Sequence, residues 1–378
     1  MIHLPKRESA TTVFLFGAVL LRAISAAATL NRTGPSARLF VGGAMIRSSL
    51  IGSAVTVALL SAASAAGAQQ PHHLNPVIQL LVEHKPVMGL YAPGNRGHAA
   101  AEGELPPLVG HDPPQALAQK TVAYKASDFV FVGSMEYHYD EMFPEFSSFA
   151  TALRAAGPLS HTKPPYLEYP IIAKIPLIAP APDQVVSHIS KQLNLGTSGV
   201  MFVGAESAAE VKQGLAAMRF ASKGGTRPSE VGAAPAYWGM SEQEYRRKAD
   251  LWPLNPQGEL INWTIVESKE GLKHVREIAA VKGIGVLWPG AGTLRGVFST
   301  TGPDGKKVLD QAAWEAAIQQ VLAACKEFHV PCGFPAGPND IQMRMQQGFS
   351  VFVSQFNESG MQAVALGRKA AQRPPANE

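Results

Sequence analysis

Ile261-Asn262-Trp263-Thr264-Ile265-Val266-Glu267-Ser268 is an apolar, strand-forming run that ends on a carboxylate. Helical spacing follows over 272–281, and a second apolar run comes at 284–289. Strand, helix and strand in this order predict a parallel unit with a right-handed crossover.

Working outward, the alternation repeats along the chain. Short runs rich in Val, Ile and Phe, bounded by Gly and Pro, lie at 86–92, 128–134, 171–176, 199–204, 261–267, 284–289, 330–335 and 350–355. Parallel strands buried on both faces have this composition. Between them, Asp183 to Leu195 carries Val185, Val186, Ile189 and Leu193 at helical spacing and stops at Gly196. Ser207-Ala208-Ala209-Glu210 is a capping box, followed by Val211, Leu215 and Met218. Gln311 to Phe328 turns Ala317, Ile318, Val321 and Leu322 to one side; Asn339 is placed to cap a helix ending at Gly348, and Asn357 to start the last.

Eight such units predict an α/β fold, a closed (β/α)8 TIM barrel, as a single domain over 69–378. The alternative is an open doubly wound sheet, which carries a Gly-rich phosphate turn after its first strand. Pro93-Gly94-Asn95-Arg96-Gly97 matches that turn only loosely and enters a Pro- and Gly-rich irregular segment over 93–127. Its length suits a lid or binding loop as well as a disordered insertion.

The first 68 residues read differently. Met45-Ile46-Arg47, an apolar run from Leu50 to Leu60, and Ala66-Gly67-Ala68 before Gln69 have the parts of a secretory signal peptide at 45–68. Export to the periplasm or beyond is the expectation. The 44 residues ahead of it, with their own apolar stretch from Val13 to Leu21, predict that translation starts at Met45. The full chain has 33 Lys+Arg and 29 Asp+Glu. Residues 1–68 hold six of the basic residues and one acid, so 27 basic and 28 acidic residues remain, a net charge of −1. The basic balance belongs to the leader, and nothing argues for nucleic acid, or for a membrane once the signal is cleaved. Cys325 and Cys332 have no metal-motif spacing and are expected as small buried apolar residues, although export permits a disulfide.

A barrel works at the C-terminal ends of its strands. Glu267 is delivered there by an apolar strand and calls for a metal ion, a basic partner or a helix N-terminus. Lys174, inside Ile171-Ile172-Ala173-Lys174-Ile175-Pro176, suits three roles: gripping a substrate carboxylate, forming an imine, or pairing with an acid such as Glu267 or Glu206. Ser134-Met135-Glu136-Tyr137-His138-Tyr139-Asp140 gathers acid, imidazole and phenol at a strand exit, and Glu136 and His138 are the proton-transfer candidates. Gly290, Ala291, Gly292 and Thr293 form a turn whose N–H groups can approach an anion, and Arg295 can add a bidentate carboxylate grip; an ordinary turn with Arg295 in solvent is the bland reading.

Taken in order, these runs resemble the HpcH/HpaI aldolase family over roughly 125–370. The likeness is densest at Gly199-Val200-Met201-Phe202 through Glu210, Ala216 to Phe220, Gly225-Thr226-Arg227, Val266-Glu267-Ser268 and Glu277 to Ile284. It implies a phosphoenolpyruvate/pyruvate-type barrel that makes or breaks a C–C bond beside a 2-oxo acid. It also implies that a divalent metal, Mg2+ or Mn2+, stabilises the enolate. Under that resemblance Glu267 matches the metal-binding Glu. The second metal carboxylate falls on Thr293, the following Ser on Arg295, the third-strand Arg on Lys174 and an assisting Asp on Gly133. The family His matches His138 only with two residues inserted; without a gap Glu136 stands there. The resemblance further implies a homo-oligomer that exchanges a C-terminal helix, here Asn357 to Gln372.

Three readings stay open on the sequence: a metal-assisted 2-oxo-acid aldolase, an imine-forming aldolase using Lys174, and a periplasmic organic-acid-binding or accessory barrel without catalysis.

Overall fold

A computed structural model of the chain describes residues 72–97 and 104–374. The expected signal peptide at 45–68 and the expected start at Met45 lie outside the described residues. All eight expected strands form: β1 Val87–Tyr91, β2 Val130–Val132, β3 Ile171–Lys174, β4 Gly199–Phe202, β5 Leu260–Val266, β6 Val286–Pro289, β7 Gly333–Pro335 and β8 Val351–Ser354. Every neighbouring pair from β7 through β8, β1, β2, β3, β4 and β5 to β6 is parallel. The ring closes through one parallel bridge between Leu287 and Cys332, where the Leu287 N–H donates to the Pro331 carbonyl at 2.9 Å. A short strand, Leu251–Trp252, pairs with the start of β5, and Ser299–Thr301 makes an antiparallel hairpin with Lys307–Leu309.

Period-two alternation decides what fills the ring. Val87, Phe129, Phe131, Ile172, Met201, Ile261, Trp263, Ile265, Val286, Trp288, Val351 and Val353 pack together in one buried cluster. Its centre is aromatic: Trp263 stacks on Phe131 at 5.9 Å and on Trp288 at 5.3 Å. Gly333 makes room, since a Cβ there would overlap the Trp288 indole. The N-terminal end is stoppered by the helix Pro76–Val82, which adds Val77, Ile78 and Leu81 to this cluster. Asn75 caps that helix through Val77 N–H, and buried Glu259 accepts the N–H groups of Leu74 and Asn75, each at 3.0 Å.

A second cluster joins the outer strand faces to the helices. The capping box at Ser207 forms with both reciprocal bonds and opens Ala208–Met218. Val185–Asn194 and Gln311–Glu327 bury the expected Val185, Ile189, Leu193 and Ala317, Ile318, Val321, Leu322, and Glu358–Ala370 starts at its expected cap, Asn357.

Four local expectations are corrected. The helix over 272–281 is two short ones, Lys269–Lys273 and Val275–Ala279, broken at His274, whose ring lies between Glu270 and Glu277. The cap before Ile341–Gln347 is Asp340 rather than Asn339, with the Asp340 carboxylate taking the Gly337 N–H. Segment 93–127 holds the helix Pro114–Ala123, begun by a proline whose missing N–H costs nothing in the first turn. Cys325 and Cys332 are disulfide-bonded: the return from helix to β7 brings their Cα atoms to 5.7 Å, within bridging range.

Candidate active site

Alternation along the strands fixes which residues form the layer at the C-terminal mouth. Ile261, Trp263 and Ile265 point inward, so Glu267 does as well. The same phase runs from Ile172 to Lys174, and from Val87 to Tyr91. Tyr91 also packs edge-on against Phe131 at 4.9 Å. Gly133 continues the phase of Phe129 and Phe131 and leaves the space that the Tyr91 ring occupies, since a Cβ at Gly133 would sit 2.8 Å from that ring.

Glu267 is 9% exposed. Its Oε1 accepts the Gly204 N–H at 2.9 Å. A Cβ at Gly290 would lie 2.5 Å from Oε2, so only glycine fits beside this carboxylate. Ser268, not Glu267, caps the next helix and also donates to Glu206 at 2.6 Å. Burial pushes the Glu267 carboxyl above its ordinary pKa; Lys174, the Thr293 side chain and the Gly204 N–H oppose this, and Glu136 adds to it.

Lys174 pairs with neither Glu267 nor Glu206. Its Nζ donates to Glu136 Oε2 at 2.5 Å, and both side chains are largely withdrawn from solvent. Burial works against its charge, but Glu136, Tyr91 and Glu267 outweigh burial and raise its pKa. It is held as an ammonium. Burial likewise raises the Tyr91 phenol, with Lys174 opposing and Glu136 reinforcing, so Tyr91 stays neutral. Lys174 is thus bonded to Glu136 and feels the charge of Glu267 without pairing with it.

A cavity of about 880 Å³ opens over Lys174 and Glu136 and runs beneath the segment after β1. Glu267 and the turn at 290–293 are not in its lining, so Lys174 is the link between cavity and carboxylate. His138 lies at the same strand exit as Glu136. It is half-buried, with left-handed φ of 51°, and stands at the N-terminus of the helix Tyr139–Ala155.

The glycine turn is divided by the structure. Gly290 touches Glu267, Ala291 is buried, and Thr293, though exposed, turns its side chain to Glu267, whereas Gly292 is exposed at the start of the helix Ala291–Val297. Arg295 is exposed, and its guanidinium lies 4.9 Å from the centre of the Trp314 ring on the outer helix layer. Tyr91 was missed in the sequence. Counting in twos from Val87 finds it.

Among the described residues no group of three or more His, Cys, Asp or Glu side chains converges as a metal cage. Mg2+ needs less: one or two carboxylates, with water and substrate oxygens completing the shell. Glu267 fits that requirement. It is a buried carboxylate with a raised pKa, in a cradle that a Cβ at Gly290 would fill, and a cation would relieve its desolvation.

No family model and no curated protein matches the sequence. Solved structures do. One is an HpcH/HpaI aldolase/citrate lyase family protein from Burkholderia cenocepacia J2315, at 19% identity over 79% of this chain and 98% of the other, with TM-score 0.54. Macrophomate synthase matches at 17% identity over 82% of this chain and 96% of the other, with TM-score 0.51. With its ring of eight parallel strands closed at Leu287 and Cys332, the chain has the barrel fold of the HpcH/HpaI aldolase/citrate lyase structures.

Proposed function

We propose that this barrel is a carbon–carbon lyase of the aldolase type acting on a 2-oxo acid, assisted by a divalent metal. The observation that carries the reading is the Lys174–Glu136 ion pair at the mouth, largely withdrawn from solvent, with the buried Glu267 carboxylate within its electrostatic reach. Fold alone assigns no chemistry. Buried ionisable groups meeting at a strand-exit face mark a working site.

Glu267 would hold the metal, whose chemistry when bound is Lewis-acid stabilisation of an enolate oxygen. The chain's own groups do the rest. Lys174, kept as an ammonium, attracts the substrate carboxylate and the oxygen on which charge develops. Glu136, at the rim of the cavity, accepts the proton of the 4-hydroxyl group. The C3–C4 bond breaks, its electron pair delocalises onto the 2-oxo oxygen, and an aldehyde leaves. The enolate then takes a proton at C3 to give the free 2-oxo acid. His138, from the same strand exit, is the second proton-transfer candidate.

The imine reading is disfavoured, because an ammonium bonded to Glu136 is not a nucleophile. Release of pyruvate from 4-hydroxy-2-oxo acids, lost on chelation and in Glu267→Gln, is the expected result. No turnover across a panel of such acids, with and without Mg2+ or Mn2+, would sink the proposal. Organic-acid binding without product would instead mark a binding barrel.

A further inference from the structure

Resting on the placement of the 2-oxo acid at Lys174, we infer that the substrate is a monocarboxylic 2-oxo acid bearing an aromatic-sized apolar group, not a three-carbon acid or a dicarboxylate. The cavity over Lys174 measures about 880 Å³. Pockets of roughly 300–1,000 Å³ receive drug-sized ligands, and a small acid would leave this one mostly to water. Its lining includes an apolar set, Leu117, Met142, Phe146, Phe149 and Phe356, with Tyr91, beside polar Asn95, His111, Ser134 and Gln355.

The charges in the lining disfavour a second carboxylate. Besides Lys174, Arg96 is the lining's formal cation, and it is already engaged. Its Nε donates to Glu145 at 3.0 and 3.2 Å, one terminal nitrogen donates to Glu145 at 2.5 Å, and the other to the Pro106 carbonyl at 2.9 Å. The neighbouring Asp112 carboxylate is a further acid, paired with Lys120. A distal carboxylate would lie beside the Glu145 and Asp112 carboxylates, whose like charge opposes it. An apolar group lying against the Phe146, Phe149 and Phe356 rings loses water at no such cost.

Three non-cleavable probes test this by calorimetry on the full chain with Mg2+ present: 2-oxo-4-phenylbutanoate, 2-oxobutanoate and 2-oxoglutarate. The phenyl acid should bind at least tenfold more tightly than either of the others. Ser148 lines the cavity from an exposed helix position. Ser148→Trp should fill the cavity and abolish that preference while leaving 2-oxobutanoate affinity unchanged. Equal affinities in the wild-type protein, or tightest binding of 2-oxoglutarate, overturn the inference, as does a phenyl preference that survives in a folded Ser148→Trp protein. The lyase reading fails separately: tight phenyl-acid binding with no cleavage of any 4-hydroxy-2-oxo acid removes the activity and keeps the specificity.

Discussion

Lys174 Nζ lies 2.5 Å from Glu136 Oε2 across 38 residues of sequence, and this ion pair joins the exits of β2 and β3 at the mouth of the barrel. Replacing Lys174 with Met leaves Glu136 without its cation and removes the positive charge that opposes the raised pKa of Glu267. The expected cost is ~2–4 kcal/mol of stability, the scale for breaking a withdrawn ion pair. The activity proposed above should fall by at least ~100-fold, as for loss of an oxyanion-stabilising donor. Thermal melts and turnover together check this; an unchanged kcat would remove Lys174 from the site.

Glu136→Gln keeps the shape of the side chain and removes its capacity to take a proton. Loss of general-base catalysis predicts a fall in kcat of ~10²–10⁴-fold. The test is a steady-state comparison in which KM moves little. A large KM effect with kcat preserved would make Glu136 a binding group only.

Gly290→Ala is a small change with a forced consequence, because its methyl group would meet the Glu267 side chain. Mn2+ affinity, followed by electron paramagnetic resonance, is expected to drop at least ~10-fold, the scale of effects from disturbing a ligand's surroundings. Glu267→Gln should abolish the signal of bound Mn2+. If neither variant alters Mn2+ binding, the ion is held elsewhere or not at all.

Away from the mouth, Arg344 forms a bidentate pair with Glu315, with bonds of 2.6 and 2.8 Å. The guanidinium holds the Glu315 carboxyl below its ordinary value of 4.5. A depressed carboxylate adds stability that is fully present above its unfolded-state pKa and lost as pH falls through the folded-state one. Glu315→Gln should therefore cost ~1–2 kcal/mol at pH 7, discounted for the partial exposure of Glu315, and almost nothing at pH 2. Melting curves from pH 2 to 8 on both proteins read this out; parallel curves at every pH would contradict it.

Alkylation of the unfolded, unreduced protein should find no free thiol, given the Cys325–Cys332 bond. Closing so short a loop is worth ~2.5 kcal/mol on the chain-entropy model. A Cys325→Ala, Cys332→Ala double variant should melt several degrees lower. Identical melting temperatures would assign the bond no structural role.

What the sequence disclosed tracks the range of the physics involved. The strands were legible because a parallel strand buried on both faces needs consecutive apolar residues, as in Ile261 to Val266. The capping box at Ser207 was legible because its two bonds join residues three apart. The stopper helix Pro76–Val82 was hidden: its seven residues are apolar on the side that enters the barrel and carry too few turns to show a period. Glu267 could be placed by its strand, but the partner of Lys174 could not, since nothing local links positions 136 and 174. Arg295 stayed open between a carboxylate grip and a side chain in solvent, because its direction depends on the helix that carries it. The helix opened by Gly290 brings it round, exposed, to the Trp314 ring.

The joint between β6 and β7 rests on a single bridge at Leu287 and Cys332, whereas the other neighbours in the ring share at least two residue pairs. Breathing of the ring is cheapest there. Rupturing that one link converts a cylinder into an open sheet while every other strand pair survives. The Leu287 amide should therefore exchange with deuterium sooner than those of β1 and β8. Because Cys332 is tethered to the flanking helix, even the opened edge would stay within reach of its mate and reseal.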